Sequence, residues 1–352
     1  MSSPEISKCL FILSGEHPTL PKAELCAILE SEGYSYSIKR HDKRLLIIDV
    51  NQTGALRVVL RAGLVNHASV VAAEMPSRED MILDSLQSLD FTQWIQPNTR
   101  FGVKITRLKR EPTKLDVDDL QSKVGSIIWE AMSGTVEVAL ESPDLWFLGV
   151  INENQFYFGP HLASRSRKAF SARRSPLRPF FVPSAIHPKI ARVLVNLSRA
   201  RPGSYVVDPF CGTGGLLLEA AEIGCIPVAF DIDSIMVSGS KQNLSHYRIP
   251  FFGGLADARA PSIRNANVEA IATDPPYGRS SSTKGAAVKE LIRVSLSSLS
   301  SILKPGGHLS LALPKEHFNQ DMIPANSFLI KEMHTMRIHR SLYRHIVVLE
   351  RK

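Results

Sequence analysis

The sequence contains few cysteines, and their spacing argues against a metal site or a disulfide framework. Its 352 residues include four cysteines, namely Cys9, Cys26, Cys211 and Cys225. No two of them form a C-x-x-C pair, and no Cys/His cluster has the spacing of zinc ligands. A chain of this length can bury a core without disulfides, so we expect a reducing compartment, the cytoplasm, and no metal.

Long hydrophobic runs are missing as well. No window approaches the roughly 18 consecutive apolar residues that indicate a membrane-spanning helix. The N-terminal stretch M-S-S-P-E-I-S-K lacks the charged and apolar regions of a secretory signal. We therefore expect a protein that neither spans a membrane nor enters the secretory route.

Positive charge, in contrast, is in excess. The formal net charge of +8 suggests a polyanionic partner, although many soluble proteins are equally basic. Between His161 and Phe180 there are six cations and no acid, and we call residues 165–178 the cationic segment. We expect its side chains to contact nucleic-acid phosphates. They are Arg165, Arg167, Lys168, Arg173, Arg174 and Arg178.

Hydrophobic periodicity predicts two α/β regions and a connector in the first half of the chain. Residues 1–74 follow the order β-α-β-β-α-β, which is typical of a ferredoxin-like domain. Residues 75–160 are predicted to form a second α/β unit. Residues 161–184 contain the cationic segment together with prolines and serines, which is the composition of a linker.

The pattern changes in residues 185–352 to an alternation of strands and helices. Such an alternation predicts a mostly parallel, doubly wound, Rossmann-like α/β sheet. Ligands of such sheets bind beyond the carboxyl ends of the strands, at the topological switch point. Loops follow predicted strands there, and their sequences are D-P-F-C-G-T-G (208–214), D-I-D (231–233) and T-D-P-P-Y-G (273–278).

The first of these loops is glycine-rich and opens a helix, but it departs from the phosphate-binding motifs. The pattern G-x-G-x-x-G would need glycine where Leu217 stands, and the lysine of a P-loop is missing. Asp208 at the strand end would repel a phosphate, so the loop favours a ligand that carries a cation, such as S-adenosylmethionine. The residues predicted to hold it are Asp208, Phe210, Cys211, Gly212, Thr213 and Gly214.

Two further acids extend this predicted cofactor site. Asp231 ends the next strand, 23 residues after Asp208, close to the offset of about 20 at which an acid accepts the ribose hydroxyls of a nucleoside. Asp257, near the end of the third strand, is placed to accept the adenine amino group, and the neighbours Ile232 and Ala258 complete the set. The structural alternative is that the glycine-rich stretch is only a turn and that an acid beside it only caps a helix.

The stretch T-D-P-P-Y-G sets a carboxylate, two prolines and an aromatic ring after an apolar strand. Prolines fix φ and lack an N–H donor, so they leave rigid carbonyl acceptors beside the carboxylate. We predict that Asp274 and the carbonyl of Pro275 accept the two N–H bonds of an exocyclic base amine, which directs the nitrogen lone pair toward a methyl donor. Pro276 would stiffen the loop and Tyr277 would stack on a base that has left its helix.

The carboxylate of Asp274 favours guanine as the base. Guanine presents N1–H and its 2-amino group side by side, whereas adenine and cytosine pair a donor with a ring acceptor that an asparagine amide matches better. Asp also occurs in some adenine methylases, so methylation of adenine N6, cytosine N4 or an rRNA guanine stays an alternative. A tRNA-binding protein with an inactive catalytic domain is an alternative of another class, and a turn with a buried tyrosine is the structural one.

These motifs resemble a known family. D-P-F-C-G-T-G-G and T-D-P-P-Y-G look like THUMP-domain RNA methyltransferases. The stretch R-R-S-P-L-R-P-F-F-V-P-S-A-I-H-P-K-I-A-R-V-L-V-N-L (173–197) is similar to the archaeal tRNA guanine-10 N2-methyltransferases and their eukaryotic counterparts. The resemblance runs over nearly the whole chain and is strongest at residues 170–280.

The resemblance implies a ferredoxin-like domain, a THUMP domain at 75–160 that grips the 3′ end of tRNA, and a class I methyltransferase domain at 185–352. It implies S-adenosylmethionine as the donor and the 2-amino group of guanosine 10 in tRNA as the acceptor. It leaves open whether one methyl group or two are added, and whether a small activator subunit is needed, as in eukaryotic relatives. Without such a subunit, a monomer is expected.

Overall fold

The computed structural model describes residues 6–109, 115–183, 185–263, 267–276, 285–339 and 342–352. Contacts divide the chain into two compact units. The first unit comprises residues 1–15, 34–60 and 65–165, and the second comprises residues 16–33, 61–64 and 166–352.

Residues 6–70 have the predicted order β-α-β-β-α-β, and most strands of residues 185–352 alternate with helices as predicted. The helices are α1 (Leu20–Ser31), α2 (Gln52–Arg61), α3 (Glu79–Gln87), α4 (Val117–Ala131), α5 (Arg167–Ala172), α6 (Pro188–Leu197), α7 (Gly215–Glu222), α8 (Ser234–His246) and α9 (Gly285–Ile302). The strands are β1 (Ile6–Leu13), β2 (Tyr36–His41), β3 (Leu45–Asn51), β4 (Val65–Val70), β5 (Ala73–Pro76), β6 (Arg100–Arg107), β7 (Glu137–Val138), β8 (Leu145–Asn152), β9 (Gln155–Ser164), β10 (Tyr205–Asp208), β11 (Ile226–Asp231), β12 (Phe252–Leu255), β13 (Val268–Thr273), β14 (Leu303–Pro314), β15 (Phe328–His339) and β16 (Leu342–Arg351).

The first unit is built on one sheet with the strand order β2-β3-β1-β4-β9-β8-β6-β7, in which β5 also pairs with β9. The strands β1 to β4 are antiparallel and have the order of a ferredoxin-like sheet. Pairing of β4 with β9 joins them to the strands that follow. Residues 1–74 and 75–160 therefore contribute to a single continuous sheet, with an aromatic core that contains the stacked rings of Phe147 and Phe158.

The second unit contains a sheet with the order β12-β11-β10-β13-β14-β16-β15. Its strands run parallel from β12 to β14, and β16 is antiparallel. Successive residues of β10 point to opposite faces, so that Val206 packs with α6 and α7 while Val207 packs with α9. The sheet is thus covered on both faces, and the order of strands reverses at β10, where β11 lies on one side and β13 on the other.

Helix α1 belongs to the second unit because its buried carboxylate is bonded there. Glu24 is fully buried and accepts hydrogen bonds from the backbone N–H groups of Gly63 at 2.7 Å and Leu64 at 2.8 Å. It also accepts one from the side-chain amide of Asn196 on α6 at 2.7 Å. Arg61 donates to Asn196 from the other side at 2.8 Å. Buried charge is tolerated only when it is bonded in this way, so these contacts fix α1 and residues 61–64 to α6.

The predicted linker at 161–184 contains regular structure. Strand β9 extends into it as far as Ser164, and α5 follows, capped by the hydroxyl of Ser166, which accepts a hydrogen bond from the N–H of Ala169. In the described part of the chain, no helix is long and apolar enough to cross a membrane. Within those same residues, no group of three or more His, Cys, Asp or Glu is arranged to hold a metal ion. All four cysteines are free thiols.

Candidate active site

Three carboxylates lie at the carboxyl ends of neighbouring parallel strands in the second unit. Asp208 ends β10, Asp231 ends β11, and Asp274 directly follows β13. Because β10 pairs with both β11 and β13, the fold places these three acids at one edge of the sheet. We call them the site carboxylates. This edge is where the alternating strands and helices of the sequence predict a ligand.

Asp208 is fully buried and only partly bonded. Its Oδ1 accepts hydrogen bonds from the hydroxyl of Thr273 at 2.7 Å and from the N–H of Phe210 at 3.2 Å. Its Oδ2 is buried and accepts no hydrogen bond from any described residue. The pKa of Asp208 is raised to about 7, chiefly by burial and in smaller part by the charges of Asp231 and Asp274, against the effect of these hydrogen bonds. A cationic ligand group near Oδ2 would donate a hydrogen bond to this oxygen and would offset the negative charge of the carboxylates.

The glycine loop after β10 has a backbone that only glycine adopts easily. Gly212 and Gly214 have φ values of +48° and +76°, in the left-handed region where a side chain is strained. Gly214 is the N-cap of α7, and a Cβ on it would lie 2.6 Å from the hydroxyl of Ser240. The side-chain amide of Asn243 on α8 donates to the carbonyl of Thr213 at 2.9 Å and fixes the loop from behind.

Asp231 is held by the same loop. Its Oδ2 accepts a hydrogen bond from the N–H of Gly212 at 2.9 Å, and its Oδ1 accepts one from the N–H of Asp233 at 3.0 Å. Burial raises the pKa of Asp231. The adjacent Ile232 is 65% exposed and offers an apolar surface beside the carboxylate. The capping role that the sequence allows for an acid of this loop belongs to Asp233, which accepts a hydrogen bond from the N–H of Ile235 at the start of α8.

The other predicted cofactor residues have different surroundings. Asp257 follows β12 and is paired with Arg259, whose guanidinium donates to both carboxylate oxygens and holds the pKa of Asp257 below its usual range. Its predicted bond to an adenine amino group stays a prediction. Ala258 is buried. Cys211 is also buried, and burial raises the pKa of its thiol, so this cysteine packs in the interior as an inert neutral group.

Asp274 opens the loop 274–276, which we call the proline loop, and its two carboxylate oxygens have different surroundings. Its Oδ2 lies 3.2 Å from Nη1 of Arg344, and each of these two side chains is 11% exposed. Its Oδ1 is buried and accepts no hydrogen bond from the residues that the structure describes. Burial raises the pKa of Asp274 to about 6, although the charge of Arg344 opposes this. Pro275 is buried and Pro276 is half-buried, while Tyr277 lies outside the described residues, so its stacking role stays a prediction.

The cationic segment divides into interior and exposed side chains. Arg173 is buried and donates to both carboxylate oxygens of Glu219, at 2.8 and 3.1 Å. Arg178 is buried as well and donates to the carbonyl of Arg173. The structure therefore gives Arg173 and Arg178 a structural role in place of the predicted phosphate contacts, because desolvated, bonded guanidinium groups do not face a phosphate in solvent.

The remaining four cations of the segment differ from Arg173 and Arg178 in their surroundings. Lys168 and Arg174 are exposed. Arg165 is half-buried and donates to the side chain of Asn66 at 2.9 Å. Arg167 lies at the start of α5, and its side chain is outside the described set. Contacts of these four residues with RNA stay a prediction.

Sequence reasoning missed two residues of the site, Thr273 and Arg344. Because Thr273 ends β13 and directly precedes Asp274, its position in the sequence could have identified it as a residue of the site. Arg344 lies 70 residues after its partner Asp274, on another strand. No motif marks it, and only the sheet order brings it to the site.

Comparisons with known proteins agree with this geometry. A family model described as an RMKL-like methyltransferase domain matches residues 176–346, and a THUMP domain model matches residues 76–159. A protein of Methanothermobacter thermautotrophicus named tRNA (guanine(10)-N2)-dimethyltransferase is 36% identical over 343 residues, covering 97% of this chain and 99% of the relative. A protein of the same name from Methanocaldococcus jannaschii is 30% identical and covers 97% of this chain and 99% of the relative.

A solved structure shares the fold over the full length. The crystal structure of TrmN from Thermus thermophilus aligns with a TM-score of 0.54 and 21% identity, covering 98% of this chain and 100% of that one. At this identity the likeness concerns the fold. It agrees with a Rossmann-like sheet preceded by an α/β region.

Proposed function

The chain belongs to the family of archaeal tRNA (guanine(10)-N2)-dimethyltransferases, and from this premise we propose that it methylates the exocyclic N2 amine of guanosine 10 in tRNA, with S-adenosylmethionine as the methyl donor. The observation that carries the proposal is the pair of half-bonded acids at one sheet edge. Asp208 and Asp274 each have one buried oxygen that accepts no hydrogen bond from the described part of the chain. The oxygen of Asp208 suits a group of the cofactor, and that of Asp274 suits a group of the substrate.

The residues around Asp208 fit the cofactor. Oδ2 of Asp208 would accept the ammonium group of the donor, and the glycine loop would let the backbone approach the donor closely. Asp231, which accepts a hydrogen bond from Gly212 and lies next to the exposed side chain of Ile232, would accept the ribose hydroxyls. When bound, S-adenosylmethionine supplies a methyl group on a positively charged sulfur, which leaves as the thioether of S-adenosylhomocysteine.

The proline loop orients the amine. Oδ1 of Asp274 accepts one N–H bond of the 2-amino group, and the carbonyl of Pro275 accepts the other. These two bonds hold the nitrogen lone pair out of the plane of the base, where it faces the methyl group, so that the protein contributes mainly by orientation. Each transfer forms one N–C bond and releases one proton from the amine, and Asp274 is placed to accept that proton.

We propose two successive methylations, in keeping with the names of the relatives. After the first, the amine keeps one N–H bond, which Oδ1 of Asp274 can still accept. The new methyl group then takes the place of the N–H that faced Pro275. Residues 75–160 would hold the tRNA, assisted by the exposed cations of the cationic segment. The cytoplasmic location, the single-chain state and the need for an activator subunit stay predictions.

The test is a nucleoside analysis of a tRNA transcript incubated with the protein and labelled S-adenosylmethionine. We expect N2-methylguanosine first and N2,N2-dimethylguanosine later, and no product from a transcript in which position 10 is adenosine. Label on an adenine, a cytosine or a ribose would contradict the proposed substrate. Absence of label together with absence of S-adenosylhomocysteine binding would indicate a tRNA-binding protein without catalysis.

A further inference from the structure

We propose that Arg344 is a positioning residue for methyl transfer, which fixes one carboxylate oxygen of Asp274 so that the other is presented to the substrate amine. Nη1 of Arg344 lies 3.2 Å from Oδ2 of Asp274, and both side chains are largely buried. Oδ1 of the same carboxylate is buried and accepts no hydrogen bond from the described residues. A buried acceptor without a partner is unfavourable, so an N–H donor of a bound substrate would stabilise it.

The sheet order explains how Arg344 reaches this acid. Asp274 follows β13, whereas Arg344 lies on β16, and β14 separates the two strands. In the register of β14 with β16, Arg344 is opposite Pro314, the last residue of β14. The guanidinium therefore passes beyond the carboxyl end of β14 to meet Asp274. The reach is possible only at this edge of the sheet, which is the edge where the site carboxylates lie.

Arg344 also gives Asp274 a cationic partner, whereas the described partners of the other two site carboxylates are uncharged. The described partners of Asp208 are the hydroxyl of Thr273 and a backbone N–H, and those of Asp231 are backbone N–H groups. Asp274 is the site carboxylate with an ion pair among the described residues. The charge of Asp274 raises the pKa of Asp208, whereas the charge and hydrogen bond of Arg344 lower the pKa of Asp274. The ion pair keeps Asp274 in the charged form that accepts the N–H bond.

This inference rests on the proposed function and makes Arg344 part of the same reaction without contact to the substrate. A rigid carboxylate acts as a directed acceptor, whereas a freely rotating one would share its two oxygens among alternative poses of the amine. A merely structural role predicts loss of stability and of cofactor binding in step with activity. A positioning role predicts loss of turnover alone, together with a changed pH dependence.

The experiment compares Arg344→Gln, Arg344→Lys and Arg337→Gln. Arg337 is exposed on the neighbouring strand β15 and serves as the matched control. For Arg344→Gln we expect kcat at pH 7 to fall roughly 10- to 100-fold, as for a weakened proton acceptor. The KM for tRNA and the affinity for S-adenosylhomocysteine should change less than about twofold.

The pH profile gives the decisive readout. Removing an opposite charge raises the pKa of a carboxyl group by about one to three units. The acid limb of the kcat profile should therefore move to higher pH in Arg344→Gln, and part of the activity should return at alkaline pH. Arg344→Lys restores the charge without the planar fork, so it should restore the acid limb but only part of kcat. Wild-type kcat at every pH in Arg344→Gln, or an equal loss at every pH, would overturn the proposal.

A second measurement does not depend on activity. The ¹³C carboxyl resonance of Asp274, assigned by its disappearance in Asp274→Asn, can be titrated in the wild type and in Arg344→Gln. A midpoint displaced upward in the variant supports the ion pair even if the substrate proves to be another base, and an unchanged midpoint contradicts it. Failure of the wild type to form N2-methylguanosine would instead overturn the proposed function.

Discussion

The hydroxyl of Thr273 donates a hydrogen bond of 2.7 Å to Oδ1 of Asp208 and so links the loop predicted to hold the cofactor with the loop predicted to hold the substrate. Thr273 is the last residue of β13 and stands directly before Asp274. Asp208 is the last residue of β10. The bond holds the carboxylate of Asp208 against the start of the proline loop. A substitution at either residue is therefore expected to displace the other.

Replacing Thr273 by valine keeps the shape of the side chain and removes the donor. Oδ1 of Asp208 would then keep only the N–H of Phe210, and we expect S-adenosylhomocysteine binding to weaken by about 1–3 kcal/mol in calorimetry. Thr273→Ser keeps the hydroxyl and should retain most of the affinity. Equal affinity in Thr273→Val and the wild type would show that this bond does not organise the site.

Replacing Asp274 by alanine should abolish methyl transfer while cofactor binding is retained. The change removes the acceptor of the amine N–H bond, and a loss of roughly 10²- to 10⁴-fold in kcat is expected for such a group. The affinity for S-adenosylhomocysteine, measured in parallel, is the control, because Asp274 faces the substrate side. Normal methylation by this variant would refute the role of Asp274.

Replacing Gly214 by alanine should impair the cofactor site through the backbone. Its φ of +76° is unfavourable for alanine by about 1–2 kcal/mol, and Ser240 must also give way to the new Cβ. We expect S-adenosylhomocysteine to bind about tenfold more weakly.

The control for this variant is Gly125→Ala in the middle of α4, where a Cβ would meet no atom within 4 Å. It should leave cofactor binding unchanged and stabilise the protein by up to about 1 kcal/mol. Similar binding by both variants would contradict a need for the left-handed backbone at Gly214.

Cofactor binding and stability should both depend on pH through the site carboxylates. The pKa of Asp208 in the ligand-free protein is about 7 against an ordinary value of 3.8. The folded protein therefore binds more protons than the unfolded chain between these values. The contribution of Asp208 to stability is full below pH 3.8 and is lost as the pH rises through about 7.

A cationic ligand group favours the ionised form, so the affinity for S-adenosylhomocysteine should rise with pH up to about 7 and then level off. Calorimetry in buffers of different ionisation enthalpy would measure the protons released. Asp208→Asn should remove this pH dependence from both binding and urea unfolding. A slope that persists in the variant would assign it to another group.

Replacing Glu24 by leucine should destabilise the second unit. The change leaves three buried donors without an acceptor, the N–H groups of Gly63 and Leu64 and the amide of Asn196. We expect a loss of about 3–5 kcal/mol in the free energy of unfolding by urea. Lys22→Gln on the same helix is the control, and it should have little effect. A change within about 0.5 kcal/mol for Glu24→Leu would mean that α1 is not fixed by these bonds.

Local chemistry in the sequence was sufficient for much of the site. The residues of each loop are adjacent in the chain, so the glycine loop at 208–214 and the acid before the two prolines at 274–276 could be recognised without coordinates. The alternation of strands and helices predicted the parallel sheet, and parallel strands bring their carboxyl ends to one edge. The convergence of Asp208, Asp231 and Asp274 follows from that rule.

The sequence by itself thus determined the class of fold, the two loops and the acids that they carry, because these depend on short-range spacing and on the periodicity of apolar residues. Only the tertiary structure decided which cations are internal, since Arg173 meets Glu219 46 residues further along the chain. It also decided that Arg344 meets Asp274 and that α1 joins the second unit. Such contacts depend on how distant segments pack and on which buried charges must be bonded. Local sequence patterns predict neither the packing nor the pairing.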